Sequence, residues 1–442
     1  MKSLPALTPK TPLRGKKILI RVDWNIPLST NPSEGDLLKI ERSAATIKKL
    51  QKQGAIVVVL THLGRPKAKE KSLSTARLLP FAEAYLECPV MFLGEDIENA
   101  EGKIATAQSI NTGKNGSVFL MENVRFYKGE DKNDKKLANI YASLADVYIN
   151  DAFASCHRKH ASVAALASLL PHFAGPSLID EVAAAAKIIQ KPKKPFVAVI
   201  GGAKLSTKMP VITSLAKKAD KVLIGGAMAH SFFKAKKLSI GKSYIEEGSD
   251  KIAKKLIKNK KIVLPQDVLV AKAIKRGVNP KQVNVKDVKK TEMIGDIGPV
   301  TMQEWSAIIK SAQTILWNGP LGVFEITAFS HGSLVMGYAI ASRSKGKAYG
   351  IVGGGDTIPV ALATGMDEWF DHISTGGGAL LEFIAKSGKL PGLEALQSRQ
   401  KTIAPAKKSA SAKKSSSKKK SAPAKKSAKS KTVKKSAKAK KK

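Results

Sequence analysis

The chain has 442 residues, 43% of them hydrophobic, enough for two ordinary domains with separate cores. Its two cysteines, Cys88 and Cys156, argue against a disulfide framework and suit a reducing compartment, so a cytoplasmic location is expected. No apolar run approaches the roughly 20 residues that span a bilayer, and the basic N-terminus lacks the apolar segment of a secretory signal.

Short apolar runs rich in β-branched residues predict strands at 17–22, 55–60, 117–120 and 146–149, with helical spacing over 39–53 and 133–144 between them. An Ala-rich helix over 178–190 then runs into Lys191-Pro192-Lys193-Lys194-Pro195, which reads as a connecting helix and hinge. A second strand series follows at 196–200, 221–224, 261–264, 314–317, 348–352 and 372–373. Such alternation predicts two Rossmann-like α/β/α domains with mainly parallel sheets, whose ligands bind beyond the C-terminal strand ends. The expected division is a first domain over 1–176, a hinge over 177–195, a second domain over 196–380, a returning segment over 381–400 and a tail over 401–442.

The tail holds 18 lysines and no acid, so removing it from the net charge of +41 leaves +23 on residues 1–400. It has too little apolar surface to fold alone and is expected to be disordered. Two readings stay open: a solvated appendage, or a salt-sensitive binder of nucleic acid and other polyanions.

In the second half, glycine clusters follow strand-like runs at Gly201-Gly202, Gly225-Gly226, Gly353-Gly354-Gly355 and Gly376-Gly377-Gly378. Bare backbone at a strand end lets N–H groups approach phosphate, and a helix starting just afterwards adds its positive end. Asp356 supplies a carboxylate for magnesium on nucleotide phosphates, and Thr357 follows it. No Gly-x-x-x-x-Gly-Lys-Ser/Thr loop or protein-kinase signature is present. Instead Gly202-Ala203-Lys204 leads into a helix on which Lys204 and Lys208 share a face, an arrangement equally familiar from exposed surfaces.

In the first half, Arg21, Asp23, Asn25, His62, Arg65, Arg125, His157 and Arg158 follow successive predicted strands. So many cations at adjacent strand ends repel one another unless an anion neutralises them, which points to a small polyanion.

These segments, with Leu316-Trp317-Asn318-Gly319-Pro320 and Gly322-Val323-Phe324-Glu325, resemble the phosphoglycerate kinase family from about Leu13 to Leu396. The resemblance implies reversible phosphoryl transfer between 1,3-bisphosphoglycerate and MgADP, giving 3-phosphoglycerate and MgATP, by an enzyme that is mostly monomeric. It implies that Asp23, Asn25, Lys39, His62, Arg65, Arg125 and Arg158 bind phosphoglycerate. Gly202, Ala203, Lys204, Lys208, Gly226, Asn318, Glu325, Gly353, Gly354, Gly355, Asp356 and Thr357 would bind the nucleotide, with Asp356 as the metal ligand. Lys39, Lys204, Lys208, Gly354 and Gly355 would stabilise the transferring group.

Three positions depart from the family pattern. Lys39 stands where the family has a catalytic arginine and loses the bidentate fork; Arg42, three residues on, is an alternative cation. Ala154 and Ala227 stand where glycine is usual beside the two substrates. Two further readings remain: a nucleic-acid binder dominated by its tail, and an impaired kinase relative kept for binding.

Overall fold

The computed structural model describes residues 3–8, 11–28 and 31–403. Strands β1 (Lys17–Arg21), β2 (Ile56–Leu60), β3 (Val90–Leu93), β4 (Val118–Met121), β5 (Val147–Asn150) and β6 (His172–Ala174) form a parallel sheet in the order β3-β4-β2-β1-β5-β6. β2 is Ile-Val-Val-Val-Leu and buried throughout, because helices cover both faces of a parallel sheet. Its neighbours β1 and β4, and β5 on the far side of β1, are buried completely or nearly so.

The second lobe opens with β7 (Phe196–Ile200), β8 (Lys221–Ile224) and β9 (Ile262–Val263). An antiparallel sheet of β10 (Asp267–Ala271), β11 (Lys281–Asn284) and β12 (Met293–Ile297) comes next. Then β13 (Thr314–Asn318), β14 (Tyr349–Gly353) and β15 (His372–Ser374) complete a parallel sheet in the order β15-β14-β13-β7-β8-β9. In each large sheet the winding direction reverses once, between β1 and β5 in the first and between β7 and β13 in the second. Ligand crevices open at such reversals, beyond the C-terminal strand ends.

The sequence reading omits β3, β6 and the antiparallel sheet. β6 has only three residues, none of them β-branched. β11 is mostly polar and largely exposed, so no apolar run marks it.

Each lobe has an apolar cluster of its own, and a further cluster is shared between them. Helix Pro176–Gln190 buries Leu178, Val182, Ala185 and Ile188 in one apolar cluster that includes Tyr148 and Phe153 of the first lobe and Phe196 and Leu215 of the second. Its alanines let both sheets' flanking layers approach the same helix.

Polar ties join the lobes at this helix. Buried Glu181 accepts from Arg42 Nη1 at 3.4 Å, from Thr375 N at 2.9 Å and from His372 Nε2 at 3.0 Å. Arg42 Nη2 also donates to Ile373 O at 2.6 Å. Asp151, at the end of β5, accepts from Thr46 Oγ1 and Leu178 N. Gly35, in the first turn of helix Glu34–Lys52, lies so close to the second lobe that a Cβ there would sit 2.9 Å from Ile358 Cγ2.

The chain finally returns to the first lobe. Helix Pro391–Leu396 donates from Gly392 N to Cys156 O at 2.9 Å and buries Leu393 and Leu396. Lys401 Nζ reaches Leu169 O and Ile403 packs on the first-lobe core, so the chain stays against the body at least to 403. The rest of the expected disordered tail lies outside the described residues. Truncating Leu396 to Ala is expected to cost about 3 kcal/mol of stability, as core Leu→Ala changes do. Urea unfolding followed by circular dichroism checks this.

Candidate functional site

The cations of the first lobe divide into a buried brace and an open rim. Arg21 is 1% exposed, and its Nε donates to Ser162 Oγ at 3.0 Å while Nη2 donates to His62 Nδ1 at 3.1 Å. A guanidinium only donates, so His62 Nδ1 is the acceptor and Nε2 carries the proton. Burial, then the charges of Arg21 and Arg125, push the His62 pKa well down, which keeps the ring neutral. Ser162 passes the charge on by donating from Oγ to buried Glu130. Arg21 is therefore a brace for His62 rather than part of the open anion site. Glu130 was not singled out in the sequence, because its role depends on a partner 32 residues away.

The rim residues face one cavity of about 580 Å³ bounded by Asp23, Asn25, Lys39, His62, Arg65, Arg125 and Arg158. Asn25 Oδ1 accepts from Gly64 N at 2.8 Å, which turns its amide Nδ2 outward as a donor. Lys39 Nζ donates to Asn25 O at 2.8 Å and Arg125 Nη1 to Gly64 O at 2.6 Å. Arg158 is exposed and donates from Nε to His157 Nε2 at 3.1 Å. Arg65 is exposed and has no side-chain partner among the described residues. Arg42 is committed to Glu181 and Ile373 and does not line this cavity, so it is not the alternative to Lys39.

The far wall of the cavity belongs to the second lobe: Gly355, Ile358, Pro359 and residues 375–378. Helix Gly377–Ala385 starts there and turns its first-turn N–H groups toward the cations opposite. Ala154 also borders this cavity.

Beyond the ends of β7 and β13, Lys208 Nζ donates to Gly201 O at 2.6 Å and to Asn318 Oδ1 at 2.8 Å. Loss of solvent pushes its pKa down to about 8, against the pull of the Asp356 carboxylate. Asn318 Nδ2 in turn donates to Gly353 O. Thr357 is fully buried, donating from Oγ1 to Gly353 O and accepting from Gly319 N at 2.7 Å. Asn318, Gly353 and Thr357 thus form a frame that fixes Lys208 and the turn at Gly354. At that turn φ is +115°, and a Cβ would sit 2.7 Å from Asn318 Nδ2. Lys204 precedes helix Leu205–Lys218 and is exposed, its charge adding to the Ser206 hydrogen bonds that hold the Glu246 carboxyl below its usual value.

A second cavity, of about 220 Å³, is lined by Gly202, Ala203, Gly226, Ala227, Leu321, Val323, Glu325 and Asp356. Its inner wall comes from His230, Phe233, Val268 and Ile294, which the sequence reading missed. Val268 and Ile294 lie on the antiparallel strands, so their convergence on this cavity depends on the pairing of β10 with β12. Gly355 lines the larger cavity and its neighbour Asp356 the smaller, so the two meet at one peptide.

A family model described as "Phosphoglycerate kinase" matches residues 9–387. The phosphoglycerate kinase of Thermosipho africanus is 40% identical over 398 residues, covering 88% of this chain and 97% of its own. That of Thermus thermophilus is 40% identical over 402 residues, covering 90% and 100%. Among solved structures, phosphoglycerate kinase from Coxiella burnetii matches with a TM-score of 0.74 at 37% identity, covering 90% of this chain and all of its own. The enzyme from Pyrococcus horikoshii matches with a TM-score of 0.76 at 27% identity, covering 89% and 98%. With two parallel-sheet lobes and a basic cavity meeting a glycine-lined one, the chain belongs to the phosphoglycerate kinase family.

Proposed function

We propose that the larger cavity holds 3-phosphoglycerate or 1,3-bisphosphoglycerate and the smaller one the base and ribose of ATP or ADP, with phosphoryl transfer at the seam. The carrying observation is the junction at Gly355 and Asp356, where a seven-residue phosphoglycerate site and a nucleotide cradle come within one peptide of each other.

On this reading Arg65, Arg125 and Arg158 neutralise the phosphate and carboxylate of the substrate, His62 Nε2 donates to it, and Asp23 and Asn25 hold its hydroxyl. Lys39 keeps two N–H donors beyond the one given to Asn25 O, and it aims these at the transferring group. Lys204 and Lys208 approach from the opposite lobe, and the amides of Gly354 and Gly355 complete the cradle. Glu325 is exposed beside the smaller cavity and accepts from ribose hydroxyls.

Asp356, exposed and within the field of the Lys208 ammonium, suits a magnesium ion held mainly by nucleotide phosphates. When bound, that ion supplies charge neutralisation on those phosphates. An acyl phosphate is already a reactive donor, so the remaining work is to align donor and acceptor in line and to screen charge. The hinge spans about 177–195 and the segment after Ser374, and its closure brings the half-sites together and expels water.

The same reading includes a cytoplasmic monomer whose lysine-rich tail binds polyanions non-specifically and is not needed for turnover. No helix among the described residues is long and apolar enough to cross a membrane.

A coupled assay of ATP-dependent 3-phosphoglycerate phosphorylation tests this. Full-length protein and a form ending at residue 403 should turn over equally, and Lys39→Arg should raise kcat by restoring the fork. Only the full-length form should bind DNA, with affinity collapsing as salt rises. Inactivity of both forms would count against the whole reading.

Lys208 gives a pH test. Its ammonium is charged below its pKa of about 8 and loses its proton as pH rises through that value. kcat/KM for the nucleotide should therefore fall on the alkaline side near pH 8. Lys208→Arg, always charged, should abolish that limb even at a lower maximum rate; a limb that persists unchanged would assign it to another group.

A further inference from the structure

The inner wall of the smaller cavity carries one polar group that nothing above uses. His230 lies on helix Met228–Ala235, just after the turn at Gly225 and Gly226, and is 4% exposed. Its Nδ1 lies 2.8 Å from Tyr244 O. A carbonyl oxygen only accepts, so Nδ1 carries the proton. Burial holds the pKa of the ring below its usual value, so the imidazole is neutral. Nε2 is therefore a bare acceptor, and it has no protein partner among the described residues.

Its surroundings sharpen the point. Phe233, Val268 and Ile294 make that end of the cavity apolar, and the Phe233 ring packs 6.4 Å from the imidazole. The other polar side chain of the inner wall, Asp296, already accepts from Ile297 N at 2.8 Å and Gly332 N at 2.7 Å. A lone acceptor in an apolar pocket selects for a ligand edge that donates and against one that accepts.

We propose that His230 Nε2 is a specificity-determining group that accepts a hydrogen bond from the exocyclic 6-amino group of adenine, so that this site discriminates against 6-oxopurine nucleotides. This rests on the base occupying the smaller cavity. A 6-oxopurine turns a carbonyl oxygen toward Nε2, lone pair against lone pair. The ring cannot relieve the clash by moving its proton, because Tyr244 O holds that proton on Nδ1.

The direct test compares MgADP with MgIDP, whose bases differ at C6 and in the N1 proton, by titration calorimetry on the full chain. Wild type should bind MgADP about tenfold more tightly, the size expected for one buried partner lost. His230→Phe, which keeps the ring but not the acceptor, should bring the two dissociation constants to within about twofold. His230→Gln, whose amide presents either a donor or an acceptor, should do the same. Equal affinities in wild type, or a folded His230→Phe protein that keeps the tenfold preference, would overturn the role of His230. Glu325→Ala should weaken both ligands alike. If neither Glu325→Ala nor His230→Phe changes either constant, the base lies elsewhere and the underlying placement fails.

Discussion

Glu181 is the interaction on which the geometry of the site depends. Burial alone would raise the pKa of its carboxyl, yet hydrogen bonding and charge from His372, with Arg42 adding to the effect, hold it below the usual carboxylate value. It is thus a buried anion with its bonding satisfied, and removing one partner of such a group typically costs about 3–5 kcal/mol. Its partners matter more than its energy. Arg42 sits one turn beyond Lys39 on helix Glu34–Lys52, and Thr375 opens the glycine turn that forms the far wall of the larger cavity. One carboxylate therefore sets how far the first-lobe cations stand from the second-lobe amides.

The same economy governs the cations themselves. The first lobe places one arginine where it cannot meet ligand and uses it to fix the tautomer of His62. The second lobe buries the stem of Lys208 against Gly201 O and Asn318, leaving Lys204 exposed. In both lobes a desolvated cation is held by fixed protein acceptors, so this part of each site needs little reorganisation when an anion arrives.

Much of this was legible in the sequence. The central strands are apolar runs rich in β-branched residues, and the seven residues that line the larger cavity follow them closely enough that strand ends alone bring most of them together. What escaped has physical reasons. β6 is three residues long with no β-branched member, and β11 is polar. The apolar cluster shared by both lobes follows from an Ala-rich helix packed between them, which composition alone does not show. Whether Arg42 or Lys39 faces the cavity is decided by Glu181, on another helix. His230 became visible only when Tyr244 O fixed its tautomer and β10 and β12 closed the wall around it.

The central claim is that the two half-sites act as one only when the lobes meet as closely as Gly35 and Ile358 do here. The most direct measurement is the turnover of Gly35→Leu in the coupled assay, beside the separate dissociation constants for 3-phosphoglycerate and MgADP. On the proposed placement MgADP contacts mainly the second lobe, so its constant should be unchanged, while 3-phosphoglycerate, whose cavity Gly35 also lines, should bind only slightly more weakly. kcat should fall by roughly 100-fold, the penalty of misplacing reacting groups by about an ångström. A Gly35→Leu protein with wild-type kcat would contradict the account.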